Sequence, residues 1–509
     1  MDMKIIVKHI CKHKLFCITL LATLLRFAFL DSFPSKLNVD EAAKGYNAYS
    51  LLQTGKTFRG LPWPLYFTDY DDSQPSTAII YNYLVVPAVY FFGLTRFAVR
   101  LPAAILGIIT IPLVYLLSYE LFKDRRAALT TAVLLCISPW HVYLSRWGVE
   151  PISYPVFFLA GYLLLLKGVK KPPLTAVAGS MLGLCMYTYP SALVVVPAFI
   201  ALFVGYKKLW NNASYLLVLF ASLMITISPL IRLYLTDPLM YGHYNNLSVF
   251  TFLTKGSAVL VFVLQMLESV FLLIYLFPLL VVIYLVKGLL KAEKENSNRS
   301  IIYFLAILIL VSLIPANLTL ATDRITVMFI RGAVITGLVE MIVGKYIADH
   351  VFQNQNTKAR VYIRAFLIST TFANSLLLLW IYTIIYSPAN VYREIGYEEA
   401  YKYIKAVDDQ YDNILVDVRE NQPFIYLLFY YKYPPSVFQS QKAVRIKIEK
   451  HYTEYLKNFG KYYFCNLEDC PTLEGRSLVL TAPDRHENLK EIYSVTESGH
   501  KILTIKEML

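Results

Sequence analysis

The chain is short of charge. Of its 509 residues only 16% are Asp, Glu, Lys or Arg, against 57% hydrophobic, where a soluble domain carries about a quarter charged residues. That shortage excludes a single soluble core. Cysteines are few, six in all, and no Cys/His cluster has the spacing of a zinc site, which argues against a zinc module. There is no internal repeat, which counts against a transporter built from two similar halves with broken helices. There is no low-complexity tract. The basic, then apolar N-terminus "MDMKIIVKHICKHKLFCITLLATLL" lacks a clear small-x-small cleavage site, so it is expected to be an uncleaved first span.

What is present is a series of apolar runs of roughly 15–25 residues through the first three quarters, the pattern of a polytopic helical membrane protein. The net charge is +13, but Lys and Arg gather in short loops between spans. They set orientation and do not point to nucleic acid. Basic clusters at Lys4–Lys14, Lys123–Arg126, Lys167–Lys171, Lys207–Lys208, Lys287–Arg299 and Lys358–Arg364 fall on one face if two spans separate successive clusters. The expected fold is an α-helical polytopic bundle of about eleven spans, near 15–31, 102–121, 127–143, 152–167, 173–187, 191–206, 213–231, 270–288, 300–315, 325–346 and 361–386. The N-terminus then lies in the cytoplasm and the C-terminus outside. The apolar segment 78–93, "AIIYNYLVVPAVYFFG", is expected as an interfacial or partly dipping helix; the alternative is that it crosses and another segment does not. Residues 1–387 form the membrane domain, with a long first outer loop at about 32–101. After about 388 the composition changes, and "NILVDV" and "RSLVLTAP" are expected as buried strands of a small extracytoplasmic α/β domain, 388–509. Cys465 and Cys470 lie in it, where a disulfide is permitted.

Several polar residues sit where chemistry is feasible. Asp40 and Glu41 open a helix expected from "NVDEAAKGYNAYSLL", where acids cap the positive end and are also held in place for catalysis. "SPWHVYLSRWGVEP" brings His141, Arg146 and Glu150 to the end of a span; on a continuous helix Arg146 and Glu150, four apart, would share a face. Arg26, Arg100 and Arg331 lie in or beside apolar runs, where an arginine snorkels, anchors a helix or pairs with an anion such as a phosphate. Asp69, Asp71 and Asp72 are compatible with a divalent cation or a hydrated loop. Tyr187 and Tyr189, in "YTYPSA", suit sugar stacking or the interfacial aromatic belt.

Across most of the first 240 residues, with weaker echoes to about 340, the chain resembles the membrane-embedded glycosyltransferases of the C superfamily (GT-C), and within it glycosyltransferase family 39, which groups protein O-mannosyltransferases with aminoarabinose transferases. The resemblance is carried by "LNVDEAAKGYNAYSLLQTGK", the stretch from "FGLTRFAVRLP" to "SPWHVYLSRWGVEP", "YTYPSA" and "SPLIRLYLTDP". "QPST" stands where many relatives have "PPL" before the interfacial helix. The resemblance implies a sugar donor on a polyprenyl phosphate, a lipid, glycan or protein acceptor, and inversion at the outer face of the cytoplasmic membrane, in the cell envelope. It implies catalytic roles for Asp40, Glu41, Arg146 and Glu150. Arg26, Arg100 and Arg331 are then candidates for the donor phosphate, and His141, Tyr187 and Tyr189 for sugar or acceptor. No cofactor is required by this pattern, and a divalent cation is compatible with it. A nucleotide-sugar donor is disfavoured, since no Gly-rich phosphate loop is present. The rival class is a lipid or sugar transporter or flippase.

Overall fold

The computed structural model describes residues 14–34, 37–68, 76–169, 171–237, 240, 261–267, 269, 297–318, 330–349, 361, 376, 396–417, 423–441, 444–448, 453–465, 470, 473–497 and 499–508. In chain order its helices are α1 (Lys14–Phe27), α2 (Val39–Thr54), α3 (Ile79–Phe92), α4 (Arg96–Phe122), α5 (Arg125–Ile137), α6 (Pro139–Leu144), α7 (Ser153–Gly168), α8 (Pro172–Cys185), α9 (Ala192–Tyr206), α10 (Ala213–Thr236), α11 (Ser297–Asn317), α12 (Val334–Ile347), α13 (Tyr397–Val407), α14 (Phe424–Tyr431) and α15 (Pro435–Ser440). The chain divides into two units, one of Met1–Ala28, Thr77–Tyr81 and Ala103–Leu379, the other of Phe29–Ser76, Asn82–Pro102 and Trp380–Leu509.

The first unit is helical. Among the described residues four helices are long and apolar enough to cross a membrane, Arg96–Phe122, Glu150–Gly168, Ala213–Thr236 and Asn298–Asn317, and Ile79–Phe92, Pro172–Cys185 and Ala192–Tyr206 are shorter apolar helices. These lie on the expected spans near 102–121, 152–167, 213–231 and 300–315, on the expected 173–187 and 191–206, and on segment 78–93, expected as interfacial. The expected span at 270–288 lies outside the described residues, and that at 361–386 does so but for residues 361 and 376. One expectation is corrected: 127–143 is not one helix. Proline at 139 has no N–H to donate and pushes its predecessor out of the α region; Ser138 sits at φ −59°, ψ 120°, and the helix breaks into α5 and α6 there.

Small residues set the helix contacts. A Cβ on Gly161 of α7 would lie 2.7 Å from Leu182 of α8, and one on Gly183 of α8 would lie 2.7 Å from Thr226 of α10. Gly179, one turn earlier, abuts Ser222, and Gly344 of α12 abuts Thr131 of α5. With no hydrophobic force between helices in lipid, such close approach supplies the packing. Rings of Phe158, Tyr162, Phe199 and Phe304 fill the space among α7, α9 and α11 at centroid distances of 4.8–6.3 Å.

The second unit is built on a seven-stranded sheet of β1 (Asn413–Val416), β2 (Val444–Ile448), β3 (Thr453–Phe459), β4 (Tyr462–Phe464), β5 (Ser477–Thr481), β6 (Lys490–Glu497) and β7 (His500–Met508). The order is β2-β3-β4-β1-β5-β7-β6. The centre is parallel, β4 and β5 flanking β1 with Ile414 opposite Tyr462 and Leu478; the outer pairs are antiparallel. β1 and β5 are buried throughout, as continuous apolar runs in a parallel core should be. They fall within the two expected strands. Cys465 and Cys470, just past β4, are disulfide-bonded.

In the same unit α2 is gripped by the segment that follows β1. Gly45 packs so closely on α14 that a Cβ would lie 2.6 Å from Phe429 and 2.7 Å from Val99. The Tyr46 hydroxyl donates to the Tyr433 carbonyl at 2.8 Å. From α15 the Gln439 amide donates to Ser50 Oγ, Thr54 Oγ1 and the Thr57 carbonyl at 2.9–3.1 Å.

Candidate active site

In the second unit the residues of interest begin at the N-terminus of α2. Asn38 caps it: its Oδ1 accepts the Asp40 N–H at 2.9 Å, and Glu41 Oε2 accepts the Asn38 N–H at 3.0 Å, the reciprocal pair of a capping box. Two orphan amides are thereby satisfied, and both carboxylates lie at the positive end of the helix dipole. The adjacent acids then part company. Glu41 is 1% exposed and takes Arg100 in a two-pronged pair, Nε to Oε1 at 2.7 Å and Nη2 to Oε2 at 3.1 Å. Arg100, fully buried, also donates from Nη1 to the carbonyls of Leu30 and Pro34, at 3.2 and 2.8 Å. Arg100, expected at a donor phosphate, is engaged with Glu41 and the backbone of the first loop. Asp40 is half-buried. Asp69, Asp71 and Asp72 lie outside the described residues. Among the described residues no group of three His, Cys, Asp or Glu side chains could hold a metal ion.

The first unit carries the other cluster. The break at Pro139 ends α5, where the Leu135 carbonyl takes only the Ser138 N–H of the cap, at 3.3 Å. Arg26 of α1, fully buried, adds donors there: Nη1 donates to the Cys136 carbonyl at 3.2 Å and Nη2 to the Leu135 carbonyl at 3.5 Å. A cation at a helix C-terminus is also favoured by the dipole. Arg26 therefore does not snorkel. Its Nη2 reaches His141 Nδ1 at 2.8 Å. Guanidinium only donates, so Nδ1 is the acceptor, the ring is neutral, and the proton is assigned to Nε2. That Nε2 is buried and has no hydrogen-bond partner among the described residues. Arg146 repeats the device on α1, its Nη1 donating to the carbonyls of Leu25 and Arg26 at 2.9 and 3.2 Å. Glycine at 107 permits the approach, since a Cβ there would collide with Ser145 and lie 3.1 Å from Arg26 Nε.

The expectation that Arg146 and Glu150 share a helical face is corrected. α6 stops at Leu144, and Glu150 opens a separate 3₁₀ turn, Glu150–Ile152; Glu150 is half-buried there. The remaining positions scatter. Tyr187 is a buried brace: its hydroxyl donates to the Thr226 carbonyl at 3.0 Å and accepts the Leu230 N–H at 3.2 Å. Tyr189 is half-buried in the turn between α8 and α9, and Arg331 is half-buried three residues before α12.

Two buried polar residues were not anticipated. Glu340 of α12 is 3% exposed, and its Oε2 has no hydrogen-bond partner among the described residues. A lone acid in "GLVEMIVGKY" is itself a signal, because ionisable residues within spans are costly. Asn47 of α2 is 1% exposed; its spacing of seven from Asp40 was the available clue.

Residues 76–232 match the family model of dolichyl-phosphate-mannose-protein mannosyltransferases. The fold is similar to two crystal structures of ArnT from Cupriavidus metallidurans. One, bound to undecaprenyl phosphate, is 13% identical over 96% of this chain and 97% of that one, with a TM-score of 0.53. The other, in the apo state, is 12% identical over the same shares, with a TM-score of 0.56. No curated protein sequence matches the chain significantly. The class is therefore that of membrane proteins with the ArnT-like, mostly helical fold. Together with the family-model match over residues 76–232, this fold supports a membrane glycosyltransferase of the GT-C superfamily.

Proposed function

We propose that the protein moves a sugar from a polyprenyl-phosphate carrier to an acceptor hydroxyl at the outer face of the cytoplasmic membrane, with inversion at the anomeric carbon. The observation that carries the reading is the ArnT-like fold over 96% of the chain; that structure holds undecaprenyl phosphate. In this reading the bundle has about eleven spans, the N-terminus is cytoplasmic, and residues 388–509 are an extracytoplasmic domain.

Asp40 is the general base. It is the half-buried member of the acid pair and its backbone is fixed by the cap of α2, whereas Glu41 is buried against Arg100. It takes the proton of the acceptor hydroxyl as that oxygen attacks the anomeric carbon and the carrier phosphate leaves. A positioned base contributes about 10²–10⁴-fold. Arg331 meets the charge that grows on the phosphate, and Arg146, whose Nη1 is held by the Leu25 and Arg26 carbonyls, positions the end of α1. Arg26 acts through His141, holding its ring so that Nε2–H points as a donor, and Glu41 and Arg100 act by holding the first loop. Glu150 assists at the acceptor, and Tyr189 offers a ring to the sugar.

The test is purified protein in lipid, given a panel of polyprenyl-phosphate sugars, with release of bare carrier as readout. At least one donor should be consumed by the wild-type chain, and Asp40→Asn should lower turnover about 10²-fold or more while the variant still inserts and binds donor. Undiminished turnover in that variant removes Asp40 from the mechanism. No turnover with any carrier-linked sugar removes the donor class.

A further inference from the structure

Asn47 lies on α2 seven residues beyond Asp40. Positions i, i+4 and i+7 share a helix face, so Asp40, Lys44 and Asn47 form one polar stripe. Two turns of helix separate its ends, about 10 Å at 1.5 Å per residue. Lys44 and Asn47 are themselves buried, at 2% and 1% exposure, and the other side of α2 packs Gly45 against Phe429 and Val99 and Tyr46 against Tyr433.

Asn47 is only 1% exposed, yet neither Nδ2 nor Oδ1 has a hydrogen-bond partner among the described residues. A buried carboxamide with both ends unbonded is costly. Nothing about helix formation requires Asn there, since Asn is among the weaker helix formers. Such a group persists where something outside the chain completes it. A carboxamide presents two donors and an acceptor side by side, which matches the neighbouring hydroxyls of a sugar ring, each able to donate and accept.

We infer that Asn47 binds ring hydroxyls of the sugar handled at Asp40 and sets which epimer is accepted. This rests on the transferase reading above and deepens it. The residue is a specificity determinant, with no part in bond making.

The experiment compares full-length wild-type protein with Asn47→Leu and Asn47→Ser in lipid nanodiscs, using undecaprenyl-phosphate-linked mannose, glucose and galactose. Bare-carrier release is followed with and without an added acceptor. In Asn47→Leu, KM for the preferred hexose should rise about tenfold or more, as for loss of a buried hydrogen bond, and the ratios of kcat/KM between glucose and each of its two epimers should collapse toward one. Asn47→Ser should fall between. If the collapse occurs without acceptor, the donor ring is the partner; if it occurs only with acceptor, the acceptor's sugar is. Unchanged epimer ratios in both variants overturn the inference. Thermal unfolding without donor is the second arm. An apolar isostere that relieves an unpaired amide should leave Tm equal or higher, and a marked fall in Tm would mean that the protein itself holds the amide, which also overturns the inference. If the wild-type chain consumes none of the three donors, it is the reading of the reaction that has failed, and the unfolding arm alone decides whether the amide is held open for a ligand.

Discussion

Arg100 and Glu41 meet through two hydrogen bonds, with the guanidinium fully buried and the carboxylate 1% exposed. Neither charge has water to fall back on, so removing one partner strands the other. Arg100→Ala should destabilise the protein by about 3–5 kcal/mol, seen as a lower Tm in detergent or lipid. Glu41→Leu combined with Arg100→Met should recover most of that loss, because an apolar pair of similar volume avoids the desolvation penalty. Equal Tm values for the single variant and the wild type would mean the pair does not form in the protein as purified. This pair also marks the limit of legibility at single residues. The sequence shows that Asp40 and Glu41 are adjacent at a helix start. It does not show that a residue 59 positions later is the partner of one of them, because a carboxylate–arginine contact leaves no local pattern. Arg26 and Arg146 are similar cases. As intramembrane arginines they demand an anion or an equivalent, and backbone carbonyls toward the ends of α5 and α1 supply the equivalent here.

At the scale of elements, α2 was legible because its signals are local: Asn38 as cap, acids in the first turn, and Gly55 in the left-handed conformation at the other end. Asn38→Ala should cost about 1 kcal/mol, measurable as a Tm shift, and should slow transfer through misplacement of Asp40. The pairing of α8 with α10 was legible only in part. Hydropathy marks both as spans, and hydropathy carries no record of which spans touch. That information is in the small residues: Gly179 and Gly183 on one helix face Ser222 and Thr226 on the other. Gly179→Leu should separate the helices and lower Tm more than Gly205→Leu, at a site where a Cβ would have its nearest neighbour, Trp210, 3.6 Å away. Equal effects would mean that the close approach of α8 and α10 is not a determinant of stability. The break between α5 and α6 falls at Pro139, which removes a helical hydrogen bond, but Pro87, Pro197, Pro229 and Pro315 lie inside continuous helices, so neither proline nor hydropathy alone marks it.

At the scale of the whole molecule, composition locates the C-terminal sheet near the right residue but is silent on which distant segments join it; the first loop and the C-terminal segment form one unit. Orientation rests instead on charge. Lysine and arginine lie in the short loops that the positive-inside pattern assigns to the cytoplasm, and the Cys465–Cys470 disulfide belongs to an oxidising compartment. These two arguments are independent, one from insertion and one from redox chemistry, and both are consistent with the proposed placement of the sheet outside. In a background with the other cysteines replaced by serine, single cysteines at Lys123→Cys and Glu487→Cys, both at exposed positions, test them together. In intact cells a membrane-impermeant maleimide should label the cysteine at 487 and reach that at 123 only after lysis. Labelling of both from outside would place the Lys123–Arg126 loop on the wrong face and undo the count of spans before it. Labelling of neither would put the sheet in the cytoplasm, where a disulfide does not persist, and Asp40 would then have to be sought at a different membrane face from the one proposed.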